Sequence, residues 1–102
     1  MKIIGVTACI AGIAHTYMAQ AAIEKEAKKQ GHECKIETQG SMGNENELEE
    51  HEIEAADVVI IGADINVEGI ERFDDKVVYK TTVSECVSEP EKVIAEAIKL
   101  IG

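Results

Sequence analysis

Apolar and polar positions fall along this chain in two kinds of block. Lys2 to Ala8 and Asp57 to Gly62 (DVVIIG) carry near-continuous apolar runs, the pattern of strands covered on both faces. Glu33 to Thr38 alternates, with Cys34, Ile36 and Thr38 on one side and charges on the other. Lys76 to Lys80 is short and flanked by charge, and completes a set of four predicted strands. Between strands the period becomes helical. Residues 16–30 gather Met18, Ala19, Ala22 and Ile23 on one broad side and stop at Gly31. A weaker helix is expected over Glu47 to Ala56, after the turn residues Gly40, Gly43 and Asn44. A last one begins at Ser88, where Ser88, Pro90 and Glu91 read as N-cap, early proline and capping-box glutamate. Val93, Ile94, Ala97, Ile98 and Ile101 supply its core stripe.

Strands alternating with helices predict an α/β fold: an open, doubly wound, four-stranded parallel sheet flanked by helices, Rossmann-like, in one domain over 1–102. The more apolar first and third strands belong at the centre and the second and fourth at the edges. Right-handed crossovers then give the order 2-1-3-4. Open sheets of this kind bind ligands beyond the carboxyl ends of their strands, where the winding reverses. Here that crevice lies between strands one and three. Cys9 opens the loop after the first strand, and Ala63-Asp64 opens the loop after the third.

Loop chemistry selects the same place. Cys9-Ile10-Ala11-Gly12-Ile13-Ala14-His15-Thr16 is a turn of mostly small residues between a strand and a helix, with little side-chain bulk to screen its amides. A strand–turn–helix of this form aims several N–H groups at one point, an anion site. A cysteine there has its thiolate stabilised, and the same amides can hold a phosphoryl group on the sulfur. A lone buried cysteine is more often packing; the glycine, alanines and threonine at the helix mouth favour chemistry instead. Cys34 and Cys86 read as core thiols, and Gln39, Gly40, Gly43 and Asn46 as turn residues. Asp64 reads as a neighbour of Cys9 or a cap, Arg72 and Phe73 as packing and partner contact.

Charge and composition narrow the partners. The net charge of −10 excludes a nucleic-acid binder, and no Lys or Arg lies between Lys35 and Arg72, a span holding eleven of the twenty acids. That segment is read first as a solvated acidic face. No apolar stretch reaches the ~18 residues of a membrane span. Three scattered cysteines without a CxxC fit a reducing cytoplasm. None of His15, His32 and His51 is spaced along the chain with acids as metal ligands are, so neither metal nor cofactor is expected. With no heptad pattern, a monomer is expected.

The spacing Cys9-x5-His15-Thr16 invites comparison with low-molecular-weight tyrosine phosphatases, whose Cys-x5-Arg clamps a phosphoryl group for hydrolysis. Position 15 is histidine here and no arginine precedes Arg72, which favours passing the group on. Four blocks in order carry a closer likeness: Ala8-Cys9 with Gly12-Ile13-Ala14-His15-Thr16-Tyr17-Met18-Ala19; Glu37 to Gly43; Ala55 to Ile60; and Arg72-Phe73 with Lys76 to Tyr79. Together they resemble the fructose-type enzyme IIB of the bacterial phosphoenolpyruvate-dependent sugar phosphotransferase system. The resemblance implies that Cys9 accepts phosphate from a phosphohistidine on a IIA partner. It implies transfer to a sugar, fructose or a relative, bound by the membrane-embedded IIC partner. In that reading the amides of 10–16 cradle the phosphoryl oxygens, Thr16 adds a hydroxyl, and His15 donates a proton or shapes the loop. Gln39, Asp64 and Arg72 form the periphery. The family's loop opens Cys-Pro-Thr-Gly; here Ile10 restores an N–H and Ala11 removes a hydroxyl worth ~0.5–1.5 kcal/mol. A docking module without turnover, and less so a thiol phosphatase, stand as alternatives.

Overall fold

The computed structural model describes residues 1–9, 13–40 and 43–101, residue 13 by its backbone alone. Its strands are β1 (Lys2–Ala8), β2 (Glu33–Gly40), β3 (Gly43–Glu45), β4 (Val58–Ala63) and β5 (Val78–Thr81). The helices are α1 (Ile13–Lys29), α2 (Glu50–Ala55), α3 (Val83–Ser88) and α4 (Pro90–Lys99), with a 3-10 helix at Ile70–Phe73. The sheet order is β3-β2-β1-β4-β5. β1 pairs in parallel with β2 and β4, and β4 with β5, so the four expected strands stand in the expected order.

The addition is β3, which pairs antiparallel with β2 and makes the sheet mixed and five-stranded. The second strand is therefore not the edge. A strand of three exposed residues carries no apolar pattern to read; Gly43, at φ 103°, permits the reversal that lays it back on β2.

Alternate residues of β1 and β4 feed two cores. Ile3, Val58 and Ile60 pack with Ala19, Ile23 and Ala27 of α1, Val83 and Cys86 of α3, and Val93, Ile94 and Ala97 of α4. Ile4, Val6, Val59 and Ile61 pack under Leu48, Ala56 and Phe73. The closeness of the central strands demands glycine at position 5, where a Cβ would run into the Ile60 carbonyl oxygen.

Several local expectations are corrected. Met18 is 54% exposed, because the buried side of α1 runs through Ala19, Ile23 and Ala27. Ile101 is likewise exposed. A short helix, α3, precedes the last one and takes Thr82 as its N-cap, the Thr82 hydroxyl accepting the Glu85 N–H. Ser88 ends α3, its hydroxyl donating to the Ser84 carbonyl, and α4 begins on Glu89 and Pro90 without a side-chain cap. The capping box sits instead on α2, between Glu49 and Glu52.

Candidate functional site

The parallel register of β1 and β4 ends at Ala8 beside Ala63, with the Asp64 N–H donating to the Ala8 carbonyl at 3.0 Å. The next residues along, Cys9 and Asp64, therefore leave the sheet side by side. The Cys9 thiol donates to Asp64 Oδ2 at 3.6 Å, and His15 Nδ1, from the first turn of α1, lies 3.7 Å from the same sulfur. The other Asp64 oxygen, Oδ1, accepts the Val83 N–H at the start of α3 at 3.3 Å. Asp64 thus unites the two roles read for it, neighbour of the sulfur and cap of a helix. Cys9 is 5% exposed, whereas Asp64 opens to solvent.

Ile10, Ala11 and Gly12 lie outside the described residues, as does the Ile13 side chain, so the cradle amides among them carry no geometry here. Ala14 is exposed on the first turn of α1. Thr16 is 2% exposed, its carbonyl accepts the Thr7 hydroxyl at 3.3 Å, and its own hydroxyl has no partner among the described residues.

One wall of the site is built from β2 and the segment after β4. Gln39 Nε2 donates to the Glu68 carbonyl at 2.9 Å, while Gln39 Oε1 accepts the Glu68 N–H at 2.8 Å. That two-way clasp closes a cleft of about 220 Å³ lined by Cys9, Gln39, Asn44, Ile65, Asn66 and Glu68. Gln39 is thus a structural member of the site and more than a turn residue. A larger depression of about 660 Å³, bounded by Leu48, Ile53, Glu54, Arg72 and Lys76, is lined by no cysteine or histidine among the described residues.

Behind Gln39 stands a buried acid that the alternating pattern of β2 had assigned to the charged side. Glu37 is 1% exposed. It receives Arg72 Nη1 at 3.0 Å and Nη2 at 3.1 Å, Gln39 Nε2 at 2.8 Å and the Leu48 N–H at 2.9 Å. Burial pushes this carboxyl up, but the bonds from Arg72, Gln39 and Leu48 outweigh it and hold Glu37 below the ordinary glutamate range. Arg72 also stacks on Phe73, 5.0 Å from the ring centroid, and bonds the Gly69 and Glu68 carbonyls. The packing role read for Arg72 is the one it fills. No local signal marked its partner: Glu37 lies in an alternating segment whose charged side reads as solvent-facing.

His15 has no acid at ligand spacing along the chain, yet the fold brings it, Cys9 and Asp64 together with ligand atoms within 4.8 Å of one another. Burial raises the thiols of Cys34 and Cys86 to about 12, in keeping with core cysteines.

A cysteine, an imidazole and a carboxylate at the topological switch point of an open α/β sheet form an arrangement chemically able to support thiol-centred transfer or hydrolysis. Comparison with known proteins narrows this. Residues 4–96 match the family described as "PTS system, Lactose/Cellobiose specific IIB subunit". The fructose-specific EIIB'BC component of Vibrio cholerae is 48% identical over 94% of this chain, which spans 16% of that protein's length. The fructose-like EIIB component 2 of Escherichia coli K12 is 45% identical over 93% of this chain and 90% of its own. A crystal structure of a domain from the fructose-specific IIABC component of Borrelia burgdorferi superposes with TM-score 0.91 at 47% identity, covering 96% of this chain and 93% of that one. The chain belongs to the fructose-type IIB components of the sugar phosphotransferase system. Among the described residues no helix is long and apolar enough to cross a membrane.

Proposed function

We propose that this chain is a phosphoryl carrier: Cys9 takes a phosphoryl group from a phosphohistidine on a IIA partner and passes it to a sugar, fructose or a relative, held by a membrane IIC partner. The observation that carries the reading is the Cys9 thiol donating to Asp64 beside His15, at the point where the sheet presents the sulfur to a cleft.

In the first half, the thiol proton passes to Asp64 Oδ2. The sulfur lone pair forms the S–P bond as the P–N bond of the donor breaks, its electron pair returning to the imidazole nitrogen, which takes up a proton from solvent. Asp64, once protonated, no longer repels the phosphoryl oxygens and can donate to them. In the second half a sugar hydroxyl oxygen forms the O–P bond and the S–P bond breaks. The hydroxyl proton passes to His15, the thiolate recovers the proton of Asp64, and His15 releases its proton to solvent. The loose transition state of phosphoryl transfer asks mainly for positioning and charge balance. The buried Thr16 hydroxyl offers a further donor.

Transfer is favoured over hydrolysis because the chain's single guanidinium is engaged elsewhere. Arg72 is taken by Glu37 and the backbone, and supplies no phosphate clamp to Cys9. The test is intact-mass spectrometry after incubation with phosphoenolpyruvate, the general phosphotransferase proteins and a fructose-type IIA. Gain of one phosphate by the wild type and none by Cys9→Ser is expected. No gain, with donors proven active on another IIB, overturns the reading.

A further inference from the structure

We propose that Cys9, His15 and Asp64 also form a three-ligand site for a thiophilic divalent cation, Zn²⁺ foremost, whose binding withdraws the sulfur from phosphoryl transfer. The site itself rests on geometry alone; its consequence rests on the carrier role.

The separations are those a tetrahedral ion imposes. With Zn–S at about 2.3 Å and Zn–N at about 2.0–2.1 Å, neighbouring ligand atoms stand roughly 3.6 Å apart. Cys9 Sγ lies 3.7 Å from His15 Nδ1 and 3.6 Å from Asp64 Oδ2. The remaining edge, between imidazole and carboxylate, is within 4.8 Å and closes by rotation of the exposed Asp64 side chain. The ligands come from three separate segments: the end of β1, the first turn of α1, and the residue after β4. Asp64 is oriented from behind by the Val83 N–H, the outer support that metal-binding carboxylates use.

Charge and softness agree. A thiolate and a carboxylate with a neutral imidazole sum to −2, which cancels the ion, in a chain of net charge −10. Sulfur and imidazole select Zn²⁺ or Co²⁺ over Mg²⁺ and Ca²⁺. A phosphoryl group on Cys9 needs Asp64 in its protonated form, whereas a cation gains from the carboxylate's charge. On binding, the S–H bond breaks, the Zn–S bond forms and the proton goes to buffer, with no change of oxidation state. Water completes the tetrahedron on the cleft side. The ion holds the lone pair that would attack phosphorus, so metal and phosphate exclude each other.

The experiment uses chelator-stripped whole chain titrated with Co²⁺ by absorbance and with Zn²⁺ against a chromophoric chelator. One equivalent is expected, with a thiolate-to-cobalt charge-transfer band that Zn²⁺ removes and Mg²⁺ does not. Cys9→Ser should lose the band; His15→Gln and Asp64→Asn should each weaken Zn²⁺ binding about tenfold or more. The asparagine of the latter variant can still accept from the Val83 N–H, so the fold is kept, checked by thermal unfolding. Cys34→Ser should bind as wild type. Absence of the band, or wild-type affinity in both His15→Gln and Asp64→Asn, overturns the site. Zn²⁺ should then block phosphorylation of Cys9 reversibly on chelation. A chain that binds Zn²⁺ but takes no phosphate even with chelator would sink the carrier role and leave the metal site standing.

Discussion

Arg72 and Glu37 meet fork to fork, Nη1 on Oε1 at 3.0 Å and Nη2 on Oε2 at 3.1 Å, across 35 residues of chain. The pair ties the 3-10 helix to the end of β2. Gln39 bonds both Glu37 and the backbone of Glu68, so the same network sets the wall of the Cys9 cleft. Removing the guanidinium leaves a 1% exposed carboxylate short of its counter-ion. Arg72→Ala is expected to cost about 3 kcal/mol of stability, read from urea unfolding. A loss below about 0.5 kcal/mol would mean the pair is not effectively buried.

The same carboxylate fixes an acid limit. Glu37 lies below its ordinary value in the folded chain, so its contribution is fully present above the unfolded value of about 4.3. It drains away as pH falls through the lower folded value. The urea midpoint of the wild type should therefore fall with acidification through that range, and Glu37→Gln should flatten the fall. An unchanged slope in the variant would assign the acid sensitivity to other groups.

Asp64→Asn separates chemistry from architecture. Asparagine keeps an acceptor for the Val83 N–H but takes no thiol proton. Phosphorylation of Cys9 should slow by about a hundredfold, with little change in melting temperature. Wild-type kinetics would remove Asp64 from the proton path.

Gly5→Ala tests the spacing of the central strands. The added methyl meets the Ile60 carbonyl oxygen, a backbone atom held by the sheet. Destabilisation of about 2–3 kcal/mol is expected in thermal unfolding. A neutral variant would show that β1 and β4 can separate freely.

Cys34 and Cys86, raised to about 12 by burial, should react with iodoacetamide at pH 8 about a hundredfold more slowly than an unhindered cysteine peptide. Peptide mass mapping over a time course provides the rates. Fast labelling of either would show that its surroundings open readily.

What could be read in the residues, and what could not, divides by the range of the cause. The apolar runs of β1 and β4 commit those segments to a strand covered on both faces, because no other placement hides so many branched side chains. Winding rules then set the order of the four parallel strands and leave Cys9 at the crevice. β3 escaped because three exposed residues bear no pattern, and α3 because its six residues are too few to show a helical period between the fourth strand and the last helix. Family likeness was legible for a further reason: four separated blocks kept their order along the chain.

The sequence by itself determined the four parallel strands and their order, the place of Cys9 at the end of the first of them and the class of protein, since each follows from local periodicity, short-range winding or recognisable blocks. Only the tertiary structure decided who the neighbours are. Asp64 reaches Cys9 across 55 residues because β1 and β4 pair in register, and Glu37 finds Arg72 because the chain after β4 folds back over β2. Contacts between side chains distant in sequence depend on strand register to a single residue, since a slip of one would turn each of them to the other face.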